Sequence, residues 1–176
     1  MLKALTRIEH WLDSICNFMA LMSGIIAVLA VILVCVEVIS RYSGVGRIAI
    51  ANEYSGYALV FIVFVAAANA VKTGIFVRVR FFISWLPRRV QGITNIFALV
   101  LGSIVVGVFS WRVVALFAQS LKLGATSLYA TYTPIAIPQG FIIAGLFMLE
   151  LMLIRLTIKA SLDFMAGAVP EIGETD

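Results

Sequence analysis

The chain is short of the residues that build most reactive sites. Its 176 residues include two cysteines and one histidine, and only 12% of them are charged. Cys16 and Cys35 fall on one predicted helix about 28 Å apart, too far for a disulfide bond. With His10 as the sole histidine, a haem held by two histidines is excluded. There is no phosphate-binding loop, zinc-site motif or serine-hydrolase motif, so we predict no enzyme, cofactor or metal site.

Charged residues are also missing from four long stretches of sequence. Each stretch approaches or exceeds the roughly 20 apolar residues that a helix needs to cross a hydrocarbon core. The stretches lie between Asp13 and Glu37, Glu53 and Lys72, Arg89 and Arg112, and Lys122 and Glu150. Hydrophobic residues make up 62% of the chain, against about 45–50% in soluble domains. The sequence therefore predicts an all-α integral membrane protein with four transmembrane helices in contact with lipid.

Little chain remains outside these stretches. The predicted spans cover residues 17–40, 54–72, 90–118 and 134–155, within a single membrane domain of residues 1–160. Residues 1–16 are amphipathic and predict a lead-in helix, which either lies in the inner interface or extends the first span. The inner loop, residues 72–89, is the most basic part and suits a short interfacial segment. Residues 161–176 read as a disordered cytoplasmic tail.

The placement of lysine and arginine predicts the orientation. With the N-terminus inside, nine of these residues fall on the cytoplasmic side and four on the other. Because short loops rich in Lys and Arg stay inside, we expect both termini in the cytoplasm. This asymmetry explains the net charge of +4 without a nucleic-acid partner. Glu9 and Asp13 interrupt the signal-like N-terminal region, so the first span is expected to be an uncleaved anchor.

Five polar residues are candidates for contact with a partner or with another helix. Glu37 and Arg41 are four residues apart at the outer end of the first span and share a helix face. They either neutralise each other, lock onto another membrane subunit or helix, or bind a proton or substrate directly. Glu53 opens the second span, where a carboxylate suits the helix dipole. Asn69 can hydrogen-bond across helices, and Lys72 suits the inner interface.

Several motifs also follow one another in a fixed order. They are EVISRY at 37–42, Glu53 at the start of the second span, AAANAVKTGIFVRV at 66–79, Leu86-Pro87, and TPIAIP at 133–138. Together they resemble the small membrane subunit of tripartite ATP-independent periplasmic (TRAP) transporters, the DctQ family. The resemblance covers about residues 15–155. The family usually carries His and Asp in the inner loop, where this chain has Phe76 and Arg80, so roles of that pair are not carried over.

The resemblance implies a scaffold subunit, not an enzyme, in the bacterial inner membrane. Such a subunit binds a large multi-span TRAP membrane subunit, which takes up an organic acid with sodium ions. A periplasmic substrate-binding protein delivers the substrate. An alternative is an autonomous small proton-coupled multidrug exporter, which also has four spans and an acidic residue in the first. In those exporters the acid sits near mid-membrane, whereas Glu37 lies near the outer edge beside Arg41.

Overall fold

The protein is described by a computed structural model over residues 2–44, 49–73, 87–127 and 132–165. These residues form four α-helices: α1 (Leu2–Tyr42), α2 (Ala49–Lys72), α3 (Arg88–Leu123) and α4 (Ala136–Met165). Each helix is long and apolar enough to cross a membrane. The all-α fold with four helices able to span a membrane, predicted from the charge-free stretches, is thus confirmed.

The first helix is continuous from the N-terminal region to the end of the first span. It holds 41 residues and no proline, which would remove a backbone donor and kink it. The predicted lead-in segment therefore belongs, from Leu2 onward, to the same helix as the first span. Most of the predicted basic inner loop (74–86) and of the predicted tail (166–176) lies outside the described residues.

Residues suited to helix ends delimit α3. Pro87 stands immediately before the first turn with φ −55° and ψ 143°, where its missing N–H costs nothing. At the other end Gly124 takes the left-handed conformation, with φ 58° and ψ 36°. Its N–H reaches back to the carbonyl of Leu121, and the next N–H reaches that of Ser120. These bonds satisfy carbonyls that a helix end would otherwise leave open.

The connection from α3 to α4 is held by its own backbone. The N–H of Ser127 donates to the carbonyl of Thr133 at 2.9 Å, and the N–H of Ile135 donates to that of Ala125 at 3.1 Å. The two limbs of the connection are therefore tied together close to the helix ends. This places the buried Ser127 close to the end of α3 and the start of α4.

The helices form a row in the order α1, α2, α4, α3, since α1 packs on α2, α2 on α4 and α4 on α3. The central pair carries most of the buried core. Within the described residues the main core cluster contains Cys16, Ala68, Val71, Leu99, Met148, Met152, Leu153 and Ala160. Large apolar side chains elsewhere face outward, as expected for a surface that lipid or another membrane protein covers.

One glycine allows the two central helices to approach closely. A Cβ atom added at Gly145 of α4 would lie 2.4 Å from the carbonyl oxygen of Phe64 in α2. Aromatic rings flank this contact. Phe61 packs edge-on against Phe141 with ring centroids 5.0 Å apart, and Phe64 stacks on Phe109 with ring centroids 6.1 Å apart. Close backbone packing through small residues is a main way to join helices in lipid.

Candidate functional site

Charged groups from three helices meet at one end of the row, which we call the inner end after the predicted orientation; the opposite end is called the outer end. Arg155 of α4 donates from Nη1 to Asp13 Oδ1 at 2.6 Å and from Nη2 to Asp13 Oδ2 at 3.4 Å. Lys72, the last residue of α2, lies with Nζ 3.5 Å from Asp13 Oδ1. The same Nζ donates to Asn17 Oδ1 at 2.9 Å and to the Asp13 carbonyl at 3.3 Å. We call these four residues the inner cluster.

The inner cluster is partly shielded from solvent. The side chains of Asp13, Lys72 and Arg155 are 31%, 21% and 28% exposed. Ion pairs at such positions contribute more than fully exposed pairs, because screening by water is incomplete. One carboxylate serves two cations, so it joins α1 to both α2 and α4.

At the outer end of α1 the charges pair within one helix. Arg41 Nη2 lies 2.5 Å from Glu37 Oε1, and Arg41 Nε donates to the same oxygen at 3.1 Å. The Glu37 side chain is 13% exposed, whereas that of Arg41 is 50% exposed. The carboxylate is therefore turned toward the packed side of α1, and the guanidinium is partly open to the surroundings.

The other outer carboxylate belongs to the interior of the chain. Glu53 is 3% exposed, and its Oε1 accepts a hydrogen bond of 2.7 Å from the Tyr57 hydroxyl one turn along α2. Tyr57 also shares a side-chain hydrogen bond with Ser127 of the α3–α4 connection. These contacts link the start of α2 to that connection.

Further polar groups lie between the helices at membrane depth. Ser103 of α3 donates to Oε1 of Glu150 in α4, which joins the central helix to an edge helix. Four buried side-chain atoms have no hydrogen-bond partner among the described residues: Asn69 Oδ1, Ser110 Oγ, Gln139 Oε1 and Glu150 Oε2. Nowhere in the described ranges do three His, Cys, Asp or Glu side chains gather closely enough to hold a metal ion.

A comparison with known protein families identifies the family of this chain. A family model described as "Tripartite ATP-independent periplasmic transporters, DctQ component" matches residues 30–162. The chain belongs to the DctQ family. A search of curated proteins found no match. The family resemblance inferred from the motifs is thus confirmed.

A DctQ component is the small membrane component of a TRAP transporter. Together with four membrane-length helices, membership supports a multi-pass protein of the bacterial inner membrane. The family implies partnership with a large TRAP membrane subunit and a periplasmic binding protein. Its function is that of a transporter part.

The predicted polar residues of this DctQ chain fall in different surroundings. Glu37 and Arg41 pair with each other, and Glu53 is buried against Tyr57. Asn69 has a buried side-chain oxygen with no partner in the described structure, and Lys72 belongs to the inner cluster. Their part in contact with another subunit remains a prediction.

Sequence reasoning assigned no partner to Asp13 or to Glu150, which lie outside the five predicted polar residues. The structure supplies Arg155 and Lys72 for the first and Ser103 for the second. A signal for the inner cluster was present. With an inside N-terminus, the acid before the first span and the cations after the second and near the end of the fourth fall at the same membrane face.

Proposed function

We propose that this chain is the scaffold subunit of a sodium-dependent TRAP transporter for an organic acid. It binds the large multi-span membrane subunit, which moves substrate and sodium ions, while a periplasmic binding protein delivers the substrate. The observation that carries the proposal is the DctQ match over residues 30–162. On this proposal the chain itself binds no substrate.

The shape of the row supports a scaffold. Both edge helices present large apolar side chains outward over most of their length, among them Val28, Ile32, Ile39, Ile104, Val108 and Trp111. Such faces can be covered by lipid or by helices of a larger membrane protein. The membrane-depth carboxylate of Glu150 is engaged by Ser103 between two helices.

We propose that both termini are cytoplasmic. The excess of Lys and Arg in the predicted inner segments supports this orientation. It puts the inner cluster at the cytoplasmic interface, where Lys and Arg are enriched. It puts the exposed Tyr42, Tyr54 and Tyr132 at the periplasmic interface, where tyrosine suits the boundary between lipid and water.

The arrangement at Glu37 counts against the multidrug-exporter alternative. A proton-coupled exporter needs an acid that exchanges a proton with substrate near mid-membrane. Here Glu37 lies one and a half turns from the end of α1 and is paired with Arg41 of the same helix. An acid neutralised by its own helix at the membrane edge is poorly suited to that cycle.

The test is to purify the tagged full-length chain from its native membrane in mild detergent and to weigh the complex. We expect one larger multi-span protein at a one-to-one ratio. A chain that runs alone, or only with copies of itself, would overturn the proposal. In that case Glu37→Gln in proteoliposomes of the purified chain would test proton-coupled export directly.

A further inference from the structure

The first helix is fixed to the rest of the chain mainly through its inner half. Cys16 and Ser23 are buried, and Leu12 and Met19 pack against the core on the same helix face. From residue 24 to the end of α1 no residue is buried. The outer half therefore contributes one partly covered stripe toward α2, and its remaining surface is open.

The inner cluster adds ion pairs and hydrogen bonds at this packed end of α1. Asp13 lies between Leu12 and Cys16 in the sequence and reaches Lys72 of α2 and Arg155 of α4. It precedes the part of the chain that the family model matches, which begins at residue 30. The contact to α4 matters because α1 packs extensively only on α2.

A continuous helix transmits a change at one end to the other. The 24 residues from Asp13 to Glu37 span about 36 Å, so a tilt of about 10° at the inner end moves the outer end by about 6 Å. No proline interrupts this part of α1, so no break absorbs such a tilt. A change of tilt at Asp13 therefore displaces the outer half of α1.

We propose that Asp13 is a positioning residue, which through Lys72 and Arg155 sets the tilt of α1 and thereby the surface that residues 24–42 offer to the large subunit. The part about the large subunit rests on the proposed function. The part about the tilt concerns this chain alone.

The charge pattern makes the carboxylate the decisive member. Removing Lys72 or Arg155 leaves Asp13 with one cation, and the link to one helix survives. Removing the carboxylate charge takes away both ion pairs and leaves two cations side by side, which repel. Only the hydrogen bonds of Lys72 Nζ to Asn17 Oδ1 and to the Asp13 carbonyl then remain between α1 and α2 at this end. We therefore expect Asp13→Asn to displace α1 more than Lys72→Gln or Arg155→Gln does.

The tilt is measured by pulsed spin-label distances in the full-length chain in lipid nanodiscs. Labels are placed at the outer ends of two helices with Tyr42→Cys on α1 and Leu123→Cys on α3, since both residues are exposed. Cys35→Ala removes the exposed native thiol, and Cys16 stays because it is fully buried. Asp13→Asn should shift or broaden the distance distribution by several ångströms.

Two comparisons separate positioning from general loss of stability. Asp163→Asn removes another inner-end carboxylate, which lies outside the inner cluster, and should leave the label distance unchanged. In a Lys72→Gln background, the exchange Asp13→Arg with Arg155→Asp restores opposite charges between α1 and α4 without placing two cations together, so it should return the distribution of Lys72→Gln alone.

The same variants are then tested for capture of the large subunit from native membranes. Asp13→Asn should recover several-fold less of it than wild type, and the charge exchange in the Lys72→Gln background should restore recovery to that of Lys72→Gln alone. If Asp13→Asn leaves the distance distribution as in wild type, the proposal is overturned. If the distance shifts and recovery does not fall, the tilt does not govern assembly, and that part is overturned.

Failure of the proposed function would look different. Wild-type chain would then recover no large subunit at all, while the distance measurement would still decide whether Asp13 sets the tilt. Should Asp13→Asn not accumulate, the double variant Lys72→Gln with Arg155→Gln removes both ion pairs, together with the hydrogen bonds of Lys72 Nζ, without leaving two cations side by side. An unchanged distance in that variant would also refute the tilt.

Discussion

The fourth helix and the first are both apolar throughout, yet they hold opposite places in the molecule. Of the most apolar part of α4, 28% is buried within the chain, compared with 6% for α1, although α1 is the more hydrophobic of the two. In lipid, apolar side chains gain nothing by hiding from their surroundings. The difference shows that shape and polar contacts, rather than hydrophobicity, make a helix central.

The polar contacts follow the same division. On α4, Glu150 bonds to α3 and Arg155 to α1. On the outer half of α1, Glu37 bonds to Arg41 of its own helix. The central helix is thus tied to its neighbours, whereas the outer part of the edge helix is tied to itself.

The largest expected effect comes from filling the glycine contact of α4. Gly145→Ala puts a methyl group against backbone atoms of Phe64 that cannot rotate away. The two central helices must separate, at a cost of at least about 1–3 kcal/mol in the free energy of unfolding. Thermal unfolding in detergent, followed by size-exclusion chromatography, measures it.

Gly24→Ala on α1 is the matched control. Nothing lies within 4 Å of the added Cβ, and alanine is the better helix former by about 1 kcal/mol. The thermal midpoint should stay or rise. Equal losses in both variants would contradict the division between the two helices.

Removal of a serine hydroxyl gives the next largest expected difference in stability, between a serine that bonds to another helix and one that bonds within its own helix. Ser103→Ala takes away the hydrogen bond that Glu150 receives, and an unsatisfied buried polar group costs about 1–3 kcal/mol. Ser23→Ala removes a hydroxyl whose one bond among the described residues goes to the Met19 carbonyl of its own helix. That carbonyl keeps its helical N–H partner, so little change is expected. A similar fall in the thermal midpoint for both would argue against an interhelical role for Ser103.

Removing one charge from an ion pair should lower the free energy of unfolding by a smaller amount, and by more for a pair between helices than for a pair within one helix. Arg155→Gln breaks a partly shielded pair between helices, for an expected loss of about 1 kcal/mol. Arg41→Gln breaks a pair within one helix, and such pairs contribute about 0.3–0.5 kcal/mol. Unfolding of the isolated chain measures both. A greater loss from Arg41→Gln would reverse the comparison.

The smallest effect is expected at Ser110. Its buried hydroxyl has no partner in the described structure, so Ser110→Ala removes no bond. Its thermal midpoint should match that of the wild-type chain or exceed it. A loss as large as that of Ser103→Ala would reveal a contact that the described residues do not supply.

Sequence predicted the number and type of the helices because charges are costly in lipid and bound each span. It did not predict which helix is central, since all four are apolar on every side and give no periodic signal. The inner cluster shows the same limit, as Asp13 and Arg155 are 142 residues apart in the chain. Lys72 was singled out from its position alone, whereas its partners depend on how the helices are arranged.

The lengths of the helices have a consequence for the surrounding bilayer. The edge helices α1 and α3 have 41 and 36 residues, whereas the central α2 has 24, or about 36 Å. A hydrocarbon layer of about 30 Å leaves α2 little reserve, while the longer helices accommodate a thicker layer by changing their tilt. In a thicker bilayer, such as one rich in sterols or in long-chain lipids, hydrophobic mismatch therefore affects α2 first. The thickness that this helix tolerates sets the range of lipids in which the row stays intact.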